Sequence, residues 1–216
     1  MLVAAGRGER FGADRPKAFV KLGERVLVAE SIERLERSGW VDKIVVVAPP
    51  GWEEPAILLA EELGCGKVVV TVAGGATRGR SVQVGVAEVA DDAAVVLVHD
   101  AARPLVTDEI IERVLAPIGE GWDGAVPGLA LPDTVKRVEG GAVIETLDRA
   151  KLVGAQTPQA FVASILREAL TGNVEAASDC SSLVEAVGGR VRAVGGDPRL
   201  LKVTTARDLE LVERWL

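Results

Sequence analysis

Val95-Val96-Leu97-Val98-His99-Asp100-Ala101-Ala102-Arg103-Pro104 begins as an unbroken aliphatic run and ends in charge. A strand with one wet face alternates apolar and polar residues, so a run without alternation reads as a strand buried on both faces, as in a parallel sheet covered by helices. Ile44-Val45-Val46-Val47 and Val68-Val69-Val70 have the same texture. Helices separate these runs. Val28, Ile32 and Leu35 recur at i, i+4 and i+7, Glu30/Arg34 and Glu33/Arg37 are i, i+4 pairs, and Gly39 ends the segment. Pro55 lies in the first turn of the next helix and Gly64 just beyond its end, and a third helix runs from about Arg78 to about Asp91. The alternation predicts one α/β domain over residues 1–216 with a doubly wound, mostly parallel, Rossmann-like sheet. Ligands of such sheets bind outside the carboxyl ends of the strands, which is where His99 and Asp100 fall.

Residues 130–149 differ. Thr134 to Val138, a Glu139-Gly140-Gly141 turn and Ala142 to Leu147 read as a β-hairpin. An isolated two-stranded ribbon is marginally stable in water, so this arm is expected to pack on something, most economically a second copy of the chain. Beyond it come helices at 163–170 and 183–187, a strand at 191–194, and a final helix whose Thr205-x-x-Asp208 reads as a capping box. Met1 leaves three residues for the first strand, fewer than usual, which reads as a strand begun upstream.

Composition removes several functions. The 216 residues carry 25 Lys and Arg against 32 Asp and Glu, a formal charge of -7, with three Phe, four Trp and no Tyr. A nucleic-acid surface needs a basic stripe and stacking rings, so none is expected. No apolar stretch spans a bilayer and no leader precedes the domain, so a cytoplasmic protein without a membrane partner is expected. Cys65 and Cys180 are far apart and His99 is the single histidine. A disulfide framework, a structural zinc site and a Ser/His/Asp triad are therefore disfavoured.

Three segments carry chemistry. Ala4-Ala5-Gly6-Arg7-Gly8-Glu9-Arg10-Phe11-Gly12, continuing to Arg15-Pro16-Lys17, brings backbone N–H groups and cations to one place, as a phosphate loop does. It fits neither the dinucleotide fingerprint nor a Walker loop, and a glycine turn with solvated bases is the plain alternative. Asp100, at the end of a strand, can hold a divalent cation directly or through water, or simply pair with Arg103 and open a turn. His99, without a recognisable partner, reads as a packing residue. In Gly74-Gly75-Ala76-Thr77-Arg78-Gly79-Arg80-Ser81, the Gly75 backbone and the Ser81 hydroxyl can read a base edge, or serve a loop and helix start.

Taken together, AAGRGERFG…RPK (4–17), GG…R…S (74–81), VHDAARP (98–104), PDTVKR (132–137), LDR (147–149), TPQAF (157–161) and LKVT (201–204) closely resemble the 2-C-methyl-D-erythritol 4-phosphate cytidylyltransferase family over the whole chain. The resemblance implies a nucleotidyltransferase fold and Mg²⁺-dependent transfer of CMP from CTP to a sugar-alcohol phosphate, with release of pyrophosphate. It implies that Arg10, Lys17 and Lys202 lie near the phosphates as catalytic cations, and that Ala4, Ala5, Gly6, Gly8, Gly75, Ser81 and Asp100 bind the nucleotide, Asp100 also serving the metal. Arg103, Thr134, Arg149 and Thr157 would serve the second substrate, with Thr134 and Arg149 reaching the neighbouring subunit's site in a homodimer.

The inventory suits that chemistry. A phosphate monoester with a second pKa of about 6 arrives largely ionised, so no general base is required. Alignment of two anions and offset of their repulsion are required, and fixed cations supply both. Val3 and Ala18 stand where the family commonly has proline and glutamine, and Cys180 where it more often has an acidic residue. Ser178 is open between a hydroxyl contact and a helix cap. Two other functions fit less of the pattern: a pentitol (ribitol) 5-phosphate cytidylyltransferase, and a non-catalytic nucleotide-binding module.

Overall fold

The structure is a computed structural model that describes residues 1–6, 15–175 and 177–216. Strand β1 (Leu2–Val3) is followed by the short pair β2 (Lys21–Leu22) and β3 (Arg25–Val26), then α1 (Leu27–Arg37), β4 (Ile44–Ala48), α2 (Glu53–Glu62), β5 (Val68–Ala73), α3 (Arg78–Ala87) and β6 (Val95–Asp100). Strands β5, β4, β1 and β6 lie side by side in that order, all parallel, as the aliphatic runs predict. Leu2 sits between Val46 and His99, and Val3 between Val47 and Asp100.

The second half widens the sheet. After α4 (Asp108–Gly119) come β7 (Gly124–Ala130), β8 (Val135–Glu139), β9 (Ala142–Leu147), β10 (Val153–Ala155), β11 (Gln159–Val162), α5 (Ala163–Ala169), α6 (Ser181–Ala186), β12 (Val191–Gly195) and α7 (Ala206–Glu213). Strand β11 runs antiparallel between β6 and β7, β10 continues along the same edge of β7, and β12 lies parallel on its other edge.

Alternate side chains of β4 divide the core. Ile44, Val46 and Ala48 face α1, α2 and α4 through Val28, Ile32, Ala56, Ile110 and Ile111. Val45 and Val47 face α3, α5 and α6 through Val82, Val86, Leu166 and Val184. The result is three layers, helices on both faces of one mixed sheet. At about 25 cal/mol per Å² of apolar area, each fully buried Leu, Ile or Val contributes roughly 1.5–3 kcal/mol.

Local signals hold with small shifts. The Glu30–Arg34 and Glu33–Arg37 pairs form, Gly64 follows α2 with a φ of +68°, and Thr205 and Asp208 make the reciprocal capping box. Helix α3 ends at Ala87, four residues before the predicted Asp91. Strand β5 reads like β4 but is an edge, with Val69 half exposed, because continuous apolarity does not say which strand has two neighbours. The arm forms as β8 and β9, bonded only to each other, with Val138, Val143 and Ile144 at least half exposed. Its turn glycines, Gly140 and Gly141, both have positive φ, the geometry of a two-residue hairpin loop.

Candidate active site

The carboxyl ends of β1, β4, β5 and β6 open into a cavity of about 750 Å³. Three chain segments wall it: Val3 to Gly6 after β1, Gly74 to Arg78 between β5 and α3, and Asp100 to Ala102 after β6; Lys17 with Ala18, Pro50 after β4, Ser81 and Lys202 complete the lining among the described residues. Gly74 has no room for a side chain. Its N–H donates to the Ala48 carbonyl at 2.8 Å, and a Cβ there would lie 2.1 Å from that of Ala5. Thr77 caps α3 by accepting from the Arg80 N–H, and the Ser81 hydroxyl donates back to the Thr77 carbonyl at 2.9 Å. The Ser81 oxygen therefore remains an acceptor on the cavity side.

Asp100 is the electrostatic centre. Arg78 Nε and Nη2 donate to its Oδ1 at 3.3 and 3.2 Å, while Lys202 Nζ donates to Oδ2 at 2.6 Å. Burial alone would raise the carboxyl pKa, but the opposing charges of Arg78 and Lys202 outweigh it and hold the group well below the usual range. It stays ionised at any working pH. Lys17 also borders the cavity and donates to the Val203 carbonyl at 2.8 Å.

Behind Asp100 runs a buried relay. The Asp100 N–H donates to Thr157 Oγ1 at 3.0 Å, the Thr157 hydroxyl lies 3.2 Å from His99 Nδ1, and His99 Nε2 lies 3.0 Å from the Arg103 carbonyl. A carbonyl can only accept, so Nε2 carries the proton and Nδ1 accepts from Thr157. Burial lowers the His99 pKa to about 4, and the ring is neutral. It packs and orients, as expected of a histidine at a strand end, although it does have partners.

The expected site residues divide into groups. Ala4, Ala5, Gly6, Gly75, Ser81, Asp100, Lys17 and Lys202 come together at the cavity. Gly8 and Arg10 lie outside the described residues. Thr157 is placed behind Asp100, with its hydroxyl engaged, instead of on the cavity wall. Arg103 does not line the cavity; its Nη1 donates to the Leu200 carbonyl at 2.6 Å, fastening the segment that carries Lys202. Asp100 pairs with Arg78 and Lys202, and its backbone carbonyl takes the Arg103 N–H in a turn. Thr134 and Arg149 both stand exposed at the base of the arm, beside the Val135–Leu147 pair and outside the lining of this chain's cavity, and Arg149 donates to the Pro132 carbonyl. Ser178 is not the cap of α6. Asp179 accepts from the Ser182 N–H and the Ser181 hydroxyl, one residue further on.

Arg78 is the residue that sequence reasoning passed over. Its signal was there: a cation in the first turn of a helix opposes the helix dipole, and nothing acidic accompanies it in α3. An unfavourable charge kept at such a place marks a partner outside the helix.

Comparison with known proteins bears on the family and the fold. The family model described as 2-C-methyl-D-erythritol 4-phosphate cytidylyltransferase matches residues 1–216. The protein of that name from Nocardia farcinica is 44% identical over 217 residues, covering 100% of this chain and 92% of the relative. Its namesake from Saccharopolyspora erythraea is 42% identical, covering 99% and 96%. The crystal structure of the Thermus thermophilus protein of the same name superposes with a TM-score of 0.78 at 32% identity, over 100% of this chain and 97% of that one. With a family match spanning every residue and relatives above 40% identical over nearly the whole chain, the chain belongs to the 2-C-methyl-D-erythritol 4-phosphate cytidylyltransferase family.

Proposed function

We propose that the chain transfers CMP from CTP to 2-C-methyl-D-erythritol 4-phosphate, giving 4-diphosphocytidyl-2-C-methyl-D-erythritol and pyrophosphate, in isoprenoid precursor biosynthesis. The observation that carries this reading is the convergence of Lys17, Arg78, Lys202 and Asp100 on a glycine-walled cavity at the carboxyl edge of the sheet. Cytosine would sit among Ala5, Gly75 and Ser81, which line the cavity together; the Ser81 oxygen suits an exocyclic amino group, and backbone groups would supply the remaining edge contacts. Lys17, Lys202 and Arg10 would stabilise the charge that builds on the attacked α-phosphate. The monoester oxygen attacks without a general base, and His99, buried and neutral, is not asked to be one.

Among the described residues no three His, Cys, Asp or Glu side chains form a metal cage. Mg²⁺ commonly needs only one or two carboxylates when phosphate oxygens and water complete its shell, so Asp100 fits as its single protein ligand. When bound, the cation would neutralise phosphate charge and help align the triphosphate. The exposed apolar arm supports a homodimer in which Thr134 and Arg149 serve the neighbouring cavity. Among the described residues no helix is long and apolar enough to cross a membrane, and we place the enzyme in the cytoplasm with its two substrates.

The test is direct. Incubation with CTP, Mg²⁺ and either 2-C-methyl-D-erythritol 4-phosphate or ribitol 5-phosphate, followed by pyrophosphate release, should show turnover with the first. Turnover with ribitol 5-phosphate alone would establish the pentitol enzyme, and none with either the non-catalytic module.

A further inference from the structure

The two oxygens of Asp100 are held unequally. Oδ1 receives two bonds from Arg78, whose side chain is 21% exposed and whose Nη1 lies 3.6 Å from Cys180 Sγ. Cys180 is itself immobilised: it is fully buried, its N–H donates to Gln159 Oε1 at 3.2 Å, and burial pushes its thiol up to about 11, so it stays neutral. Arg78 also has little freedom at its backbone. It follows the Thr77 cap and precedes Gly79, where even a Cβ would lie 2.0 Å from the Val174 carbonyl oxygen. Oδ2, by contrast, receives one bond from Lys202, an ammonium on a flexible stem whose side chain is 39% exposed and borders the cavity. A forked, more deeply set guanidinium is a fixed clamp, and a more exposed ammonium is a point charge free to turn to another anion.

We propose that Arg78 is a positioning residue of the nucleotide site, clamping Asp100 through Oδ1 so that Oδ2 is the exchangeable oxygen, released by Lys202 when the triphosphate arrives. This rests on the proposed CTP-dependent reaction and assigns its parts. Lys202 neutralises Asp100 in the empty cavity and turns to phosphate in the filled one, while Arg78 keeps the carboxylate in place throughout. Its loss is therefore a loss of nucleotide affinity, not of the affinity for the second substrate.

Arg78→Met keeps the aliphatic stem and removes the fork. The KM for CTP should rise at least tenfold and calorimetric CTP binding weaken in parallel, with the KM for the sugar phosphate within twofold of the parent. Arg78→Lys, able to donate a single bond to Oδ1, should recover part of the loss. A folded Arg78→Met protein that binds CTP within twofold of the parent, or that loses affinity equally for both substrates, overturns the role. If Arg78→Met does not fold, a crystal structure of the parent with CTP decides. Arg78 within 3.5 Å of Oδ1 with Lys202 gone from Oδ2 supports the proposal, and Arg78 released from Asp100 refutes it. Failure of the parent to turn over both substrates would refute the reaction instead, since CTP binding reads the role of Arg78 separately.

Discussion

His99 lies between a hydroxyl and a carbonyl; in its neutral form the carbonyl fixes the proton on Nε2 and leaves Nδ1 to accept from Thr157. Burial lowers its pKa most; Asp100 and the Arg103 carbonyl raise it, while the charges of Arg103 and the Met1 amino group lower it, leaving about 4 against an unfolded value of 6.5. Between those values the unfolded chain binds a proton that the folded chain refuses, so this contribution is complete above pH 6.5 and declines as the pH falls toward 4. By pH 5 the loss is about 2 kcal/mol. Asp100 has the opposite chemistry but the same direction of effect. Its lowered pKa contributes stability above the unfolded carboxylate value of about 4, lost only at lower pH and so outside this window. Urea unfolding of the parent and of His99→Gln at pH 7 and pH 5 isolates the term. The parent should lose about 2 kcal/mol more than the variant across that interval. At this scale the sequence displayed residue types but not partners. HDAARP marked Asp100 as important, yet Arg78 is 22 positions away and Lys202 is 102 away. Pairings at such separation depend on the tertiary fold and leave no local period.

Helix α3 shows how an element carries a site. Its first turn supplies the Thr77 cap, the Arg78 clamp, the Gly79 contact and the Ser81 hydroxyl in five consecutive residues. Gly79→Ala tests the packing: with a backbone carbonyl 2.0 Å from the added methyl, the helix start must shift, and overpacking of this kind costs about 1–3 kcal/mol. The expected result is a lower thermal midpoint together with weaker CTP binding, and an unchanged midpoint would place the Val174 loop in easy motion. Legibility differed from element to element. Helices α1, α2 and α7 announced themselves by period, caps and stops. Strand β7, Gly124-Ala125-Val126-Pro127-Gly128-Leu129-Ala130, did not, because glycine and proline are turn signals. Its glycines are dictated by neighbours: a Cβ at Gly124 would lie 2.6 Å from the Phe161 ring, and one at Gly128 2.6 Å from Val153. Strands β10 and β11, which share one of its edges, have only three and four residues, too few for a periodic signal.

Across the whole molecule, stability and exposure are unevenly distributed. The residues of β4 are buried along its entire length, whereas the arm pairs only with itself and exposes most of its side chains. Amide hydrogen exchange should follow: β4 exchanges only through global unfolding, while β8 and β9 exchange by local opening. Protection of the arm should rise with protein concentration if it seats on a second chain, and protection independent of concentration would argue against the shared site. The -7 total hides a cavity rich in positive charge, because charge is a sum over the chain and binding is local to three loops and two distant lysines. One feature joins those distant parts. Residues 197–203 are fastened by Gln156, which exchanges two bonds with Asp197, by Arg103 at Leu200, by Lys17 at Val203, and by the Val203 N–H on the Ala102 carbonyl. Three segments, around Lys17, around Ala102 and Arg103, and at Gln156, thereby fix the place of a single ammonium, that of Lys202. Descent should record this: positions 17, 103, 156 and 197–203 are a heritable unit, in which a change at one is tolerated only with an answering change at another, so that exchanging this strap between distant relatives succeeds as a block and fails piecemeal.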